Sequence, residues 1–203
     1  MEGPPDHLFL CHGLVDEKML IDTNLLQWDK IINLNLRASF HLISLTVAFM
    51  KFSQNHPSIT VLSGSAGNTP VPGACAFSVS MAMLNMLVKN TALEVGHIGI
   101  RVNAVAPGVT NTKGRESKEG NFFFQLSDSQ RLDDNLARKI VQDQNGKFLK
   151  EADGMIPLFQ GQTPQGVEIP RLNEALDVAK TMLWLGSEDA SFVTGEILVM
   201  DGG

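Results

Sequence analysis

Short apolar runs alternate with longer stretches of helical spacing along most of this chain, and few folds accommodate that alternation. Leu8 to Cys11, Ile59 to Leu62, Ile100 to Val105 and Glu196 to Met200 have strand length. The stretches between them have helix length. A strand that is followed by a helix and then by another strand pairs with it in parallel, because the helix carries the chain back to its starting edge. The predicted fold class is therefore α/β, a doubly wound parallel sheet with flanking helices.

Local signals set the expected helix ends. Asp22 and Thr23 can cap a helix over Asn24 to Lys51, along which Trp28, Ile31, Ile32, Asn35, Leu36, Phe40 and Ile43 fall near helical spacing. A second helix is expected over Ala74 to Val95 with Gly96 as its C-cap, and a third over Asn173 to Gly186. His56-Pro57-Ser58 and Pro107-Gly108 interrupt regular structure.

The alternation lapses between Thr112 and Glu168, a stretch too long for an ordinary loop. Residues 113–168 are read as an insertion, or a substrate-loop-like region, within one domain spanning 1–203. Leu132, Leu136 and Ile140 predict one amphipathic helix there, capped by Ser127 or Asp128. Phe122-Phe123-Phe124 is expected either to anchor a partner or to plug a cleft. The loop from Gly161 to Gly166 follows no strand and opens no helix, so it is not read as a phosphate site.

A net charge of −6 favours neither nucleic acid nor an anionic membrane as partner. The apolar run Phe40 to Phe52 is too short to span a bilayer, and Met1-Glu2-Gly3-Pro4-Pro5 has no signal-peptide character. Two cysteines, Cys11 and Cys75, suit a reducing compartment. An intracellular protein, cytoplasmic by default, is expected, and an organelle is compatible.

Trp28 to Leu36, Ser63 to Gly67, Arg101 to Gly108 with Thr112, Asp177 to Ala179, and Thr194-Gly195 with Asp201 to Gly203, taken in order, resemble the short-chain dehydrogenase/reductase family, in particular its 3-oxoacyl-carrier-protein reductases. Trp28 to Leu36 is similar to the family segment that ends near its catalytic asparagine, matched by Asn35. Ser63-Gly64-Ser65-Ala66-Gly67 is similar to its serine loop, and Arg101 to Gly108 to its sixth strand and Pro-Gly turn, with Thr112 following. Asp177-Val178-Ala179, then Thr194-Gly195 and Asp201-Gly202-Gly203, resemble its closing helix and strand. The resemblance implies a Rossmann-like sheet carrying family strands 4-5-6-7 of the order 3-2-1-4-5-6-7. It also implies an incomplete fold, N-terminally truncated, without the glycine-rich half that cradles a dinucleotide. The family's Asn-Asn-Ala-Gly is Leu10-Cys11-His12-Gly13 here.

The departures bear on chemistry. Phe77 stands where the resemblance places the general acid/base tyrosine, and Met81 where it places the lysine. The chain contains no tyrosine, and the position thirteen residues before Phe77, that of the family serine, is Gly64. A positioned acid/base typically contributes roughly 10²–10⁴-fold to rate, and a phenyl ring has no proton to give. A thioether cannot bind a ribose as a cation does. Phe and Met nearly conserve the volumes of Tyr and Lys, which preserves packing. Asn35, Gly64, Phe77 and Met81 are thus vestigial catalytic positions, and Pro107, Gly108 and Thr112 vestigial cofactor positions.

Asn35 is expected to bond the backbone of the preceding strand and to support a helix kink. Ser63 and Ser65 are read as loop hydroxyls. His7, Cys11 and His12 lack a second cluster with ligand spacing, so no metal is expected. Met81, Met83 and Met86 are read as core or interface packing. The leading expectation is a non-catalytic, structural or regulatory component of a homo-oligomer or larger complex, associating through helices 24–51 and 74–95 and needing no cofactor. One alternative is a divergent or truncated NAD(P)-dependent oxidoreductase acting on a carbonyl or alcohol. Another is a small-ligand binding module with 113–168 as its lid.

Overall fold

The computed structural model describes residues 3–15, 18–71, 73–108, 110–111 and 173–202. The expected insertion, its amphipathic helix, the Phe122–Phe124 run and Thr112 lie outside these residues. Within them, β1 (His7–Leu10), β2 (Ser58–Leu62), β3 (Arg101–Pro107) and β6 (Ile197–Met200) form a parallel four-stranded sheet in the order β1-β2-β3-β6. Two residues of β4 (Thr110–Asn111) pair in parallel with two of β5 (Asn173–Glu174). That small second sheet has no periodicity signal, since two residues are too few to show alternation.

β3 is buried at every position. A parallel strand covered on both faces needs an unbroken apolar run rather than an alternating one, and Ala104-Val105-Ala106 supplies it. On one face Ile59, Val61, Val102 and Ala104 pack with Met81, Leu84, Val88, Ala92 and Val95 of α3 (Cys75–Val95), and with Ile43 and Met50 of α2 (Ala38–Met50). On the other face Val105 and Leu62 pack with Val178, Met182 and Leu185 of α4 (Ala175–Gly186).

Several expected boundaries shift for identifiable reasons. The first helix is capped by Asn24 rather than by Asp22 or Thr23. Asn24 Oδ1 accepts from the Gln27 N–H and Gln27 Oε1 from the Asn24 N–H, so α1 is Leu25–Ile32. Thr23 instead donates its hydroxyl to the Met19 carbonyl. The single helix expected over Asn24 to Lys51 contains a π turn at Asn33–Arg37 between α1 and α2. α3 does end at Val95 with Gly96 as its C-cap, donating its N–H to the Ala92 carbonyl, but Gly96 is right-handed and opens a short 3-10 turn, so the left-handed residue is Gly99, at φ 79°. Asn173 and Glu174 belong to β5, so α4 starts at Ala175. Taken together, Leu25–Met50 is long and apolar enough to cross a membrane by length and composition, although the shorter Phe40–Phe52 run is not. In the fold, its Ile31, Asn35, Ser39 and Ile43 are buried.

The polar residues inside are committed. Asn103 donates to the Val193 carbonyl at 2.8 Å and accepts from the Glu196 N–H at 3.0 Å, while Thr194 Oγ1 accepts from the Val102 N–H. These bonds seat the approach to β6 beside β3. The buried Arg101 guanidinium donates to the carbonyls of Leu185, Gly186 and Ser187 at 2.7–3.2 Å, at the C-terminal end of α4. Those are the carbonyls a helix leaves unpaired, and a cation there also meets the negative end of the helix dipole. Burial lowers the Arg101 pKa from its ordinary value.

Arg101→Leu should destabilise the protein by about 2–4 kcal/mol, since several buried carbonyls lose charged donors together. Urea unfolding followed by circular dichroism measures this, and a change within about 0.5 kcal/mol would show that water replaces the guanidinium. A second expectation concerns acid. The Asp6 carboxylate accepts from the Ser53 hydroxyl and the Asn55 amide, which hold its pKa below the ordinary value. A depressed carboxylate stabilises the fold fully above its unfolded pKa and loses that contribution as pH falls through the folded one. Asp6→Asn should therefore flatten the fall of Tm below about pH 4; an unchanged slope would refute the anchoring role.

Candidate functional site

Because the strands are parallel, the segments leaving β1, β2 and β3 all emerge at one edge of the sheet. Ser63 continues β2 by donating its N–H to the Val105 carbonyl at 2.8 Å. Gly64 follows in extended conformation, then a 3-10 turn at Ser65–Gly67. A Cβ on Gly67 would lie 2.8 Å from the Met81 carbonyl carbon and 2.9 Å from the Ala82 nitrogen, so only glycine lets this turn lie flat on α3.

The close approach brings together three positions singled out in the sequence. A Cβ on Gly64 would lie 3.3 Å from Phe77 Cζ and 3.6 Å from Met81 Cγ. Phe77 and Met81 are four residues apart on α3 and so share a face. Phe77 is half-buried and Met81 is 3% exposed. The cluster is a phenyl ring and a thioether closing over a residue without a side chain.

Asn35 lies in the π turn and joins this cluster through α3. Its Oδ1 accepts from the Leu14 N–H at 2.7 Å, and its Nδ2 donates to the Leu14 carbonyl and to Ser80 Oγ, both at 2.9 Å. Ser80 passes its own hydrogen to the Phe77 carbonyl. Both amide hydrogens of Asn35 are thus in use, one on the loop after β1 and one on α3. The backbone partner is in that loop rather than on the strand. A π turn widens the helix by one residue and so can aim a side chain sideways into the core.

Two buried polar residues of α3, Ser80 and Asn85, make bonds that sequence reasoning did not anticipate and complete the wall. Ser63 Oγ donates to Asn85 Oδ1, and Asn85 Nδ2 donates to Asn68 Oδ1 at 3.1 Å. These bonds fasten both ends of the serine loop to α3. Their sequence signal is weak but real: Ser80 and Asn85 are polar residues on the otherwise apolar buried stripe of α3. Ser63 is 1% exposed and its hydrogen is committed, which leaves no accessible nucleophile there. Ser65 accepts two backbone N–H bonds through its carbonyl.

The remaining candidates separate. Pro107 ends β3, and the Gly108 N–H donates to the Met200 carbonyl at 2.9 Å. A Cβ on Gly108 would lie 3.0 Å from Asp201, so this glycine is accounted for by the crossing of two strand ends. His7 and His12 occupy opposite ends of the β1 segment. His7 Nδ1 bonds Ser58 Oγ at 2.9 Å, and His12 Nε2 bonds Ser39 Oγ at 3.1 Å. No group of three His, Cys, Asp or Glu residues is placed to hold a metal among the described residues.

None of Asn35, Ser63, Gly64, Phe77, Ser80, Met81 and Asn85 carries a group that titrates between acid and neutral pH. As arranged, the cluster can pack and donate neutral hydrogen bonds. A nicotinamide dinucleotide, the cofactor implied by the resemblance, needs a donor to its ribose at the position of Met81. The thioether there offers none, and the amide hydrogens of Asn35 are spent. Among the described residues, neither Met81 nor Asn35 holds a free donor for a ribose.

Comparison with known proteins follows the geometry. The family model for short chain dehydrogenase matches residues 3–121. The A-factor type gamma-butyrolactone 1'-reductase (1S-forming) of Streptomyces virginiae is 33% identical over 176 residues, which are 87% of this chain and 55% of that protein. The 3-oxoacyl-[acyl-carrier-protein] reductase of Thermotoga maritima is 27% identical over 201 residues, 99% of this chain and 66% of that protein. The NADPH-bound short chain oxidoreductase of Pseudomonas aeruginosa PAO1, described as containing an atypical catalytic center, superposes with a TM-score of 0.70 at 18% identity. It covers 98% of this chain and 65% of that one. The chain thus spans between about half and two thirds of the length of the proteins it matches.

Replacing Asn35 tests its hydrogen bonds. Asn35→Asp keeps the acceptor for Leu14 N–H but turns two donors into acceptors facing a carbonyl and a hydroxyl. It should cost about 2–4 kcal/mol of stability by urea denaturation, as Asn35→Ala should. A loss below about 0.5 kcal/mol in both variants would mean that these bonds do not hold the π turn.

Proposed function

The chain belongs to the short-chain dehydrogenase family, and from that premise we propose a member that keeps the family's packing and not its proton chemistry. It serves as a non-catalytic structural or regulatory component of an oligomer or larger complex. One observation carries the reading: a Cβ at position 64 would lie 3.3–3.6 Å from Phe77 and Met81, and the groups at these positions are glycine, phenyl and thioether. General acid/base catalysis requires a proton at that point, and none of the three holds one. No nicotinamide cofactor is needed for such a role.

Kinship supports a second reading at least as well. Both relatives named above are reductases, and a structural neighbour holds NADPH with an atypical catalytic center. In that reading the protein is a divergent NAD(P)-dependent oxidoreductase acting on a carbonyl or alcohol, and it draws its proton from a group outside the Gly64, Phe77 and Met81 cluster.

The surface bears on association. α2 has no Asp, Glu, Lys or Arg along its length and exposes Phe40, Leu42, Leu45 and Phe49, while α3 exposes Met86 and Leu93. A helix apolar on all sides is normally covered. An uncharged face also lets two copies of a chain with net charge −6 approach without like charges meeting. Among the described residues β1 is an edge strand, paired only with β2, and edges recruit partners. We therefore propose pairing through helices 24–51 and 74–95, with a second copy or another chain. The same residues serve as fold helices, which speaks against their spanning a membrane.

Titration calorimetry of the full chain with NAD⁺, NADH, NADP⁺ and NADPH should show no binding tighter than about 1 mM. Assays against carbonyl and alcohol substrates should show no turnover. The combined variant Gly64→Ser, Phe77→Tyr, Met81→Lys should also be inactive, because orientation of a hydride donor is worth roughly 7–11 kcal/mol of barrier. Its buried lysine should lower stability. A micromolar dissociation constant, or activity in either protein, would overturn the non-catalytic reading in favour of the reductase.

Association has its own test. Light scattering on the purified chain at about 1 μM should give a mass above that of one copy. Leu45→Lys with Phe49→Glu should shift it toward a single copy while leaving the circular dichroism spectrum unchanged. A compact, soluble, cooperatively melting monomer at that concentration would refute the interface.

A further inference from the structure

We draw no further inference here: the strongest candidate, the exposed apolar patch of Met19, Leu20, Ile21, Leu25 and Leu26 around the start of α1, is an unpartnered surface, and nothing in the structure shows what covers it.

Discussion

The parallel pairing of β2 with β3, from Ser58 opposite Arg101 to Leu62 opposite Val105, is the constraint on which the remaining structure depends. Parallel neighbours cannot be joined by a tight turn, so α3 must cross the sheet between them. Both faces of the pair then need covering, which fixes α3 on one side and α4 on the other. It also sends the ends of every strand to one edge. Gly64 meets Phe77 because the chain leaving β2 has to pass under the helix that leads into β3. The cluster is a consequence of topology before it is a matter of chemistry.

Arg101 and Asn103 show how such a core tolerates polar residues. Both lie in a strand buried at every position, where an unpaired guanidinium or amide would be costly. Each is matched to backbone groups that the topology itself leaves over: the carbonyls ending α4, and the carbonyl and N–H flanking the approach to β6. The side chains thus do at the end of a helix and the start of a strand what regular hydrogen bonding cannot do. This is why Arg101-Val102-Asn103 and Thr194-Gly195 read as linked motifs although they are far apart in the sequence.

The strands and long helices were legible because their signals are extended. β2 and β3 announce themselves as runs of Ile, Val and Ala, and α3 as twenty-one residues of helical spacing. What was not legible depended on single contacts. Asn24 rather than Thr23 caps α1 because Gln27 reaches back to it, and Gly96 caps α3 in a right-handed conformation because Gly99 takes the left-handed position. The candidate site divides the same way. Counting thirteen residues back from Phe77 finds Gly64, and the two do face each other in space. Ser80 and Asn85 went unread, because a small polar residue on an apolar stripe looks the same whether it bonds a neighbouring element or its own helix. Only the π turn and the flat Gly67 approach decide that Ser80 meets Asn35 and Asn85 meets Ser63.

The matched motifs also explain why kinship and chemistry point in different directions here. Asn35 ties a loop to two helices, Asn103 seats a strand, Gly67 permits a close crossing and Gly108 another. Each of these tasks is demanded by the fold whatever reaction is run on it, and substituting any of them disturbs packing. In the proposed reading, hydride transfer would make its demands on a different and smaller set, the side chains at 64, 77 and 81. Exchanging tyrosine for phenylalanine, or lysine for methionine, removes an oxygen or a charge while nearly keeping volume. A chain can therefore preserve its resemblance to reductases over 87% of its length with a phenyl ring at position 77 and a thioether at position 81. The similarity of this chain to its relatives thus fits the demands of the sheet and its crossings, and the side chains at positions 64, 77 and 81 pose catalysis as a separate question.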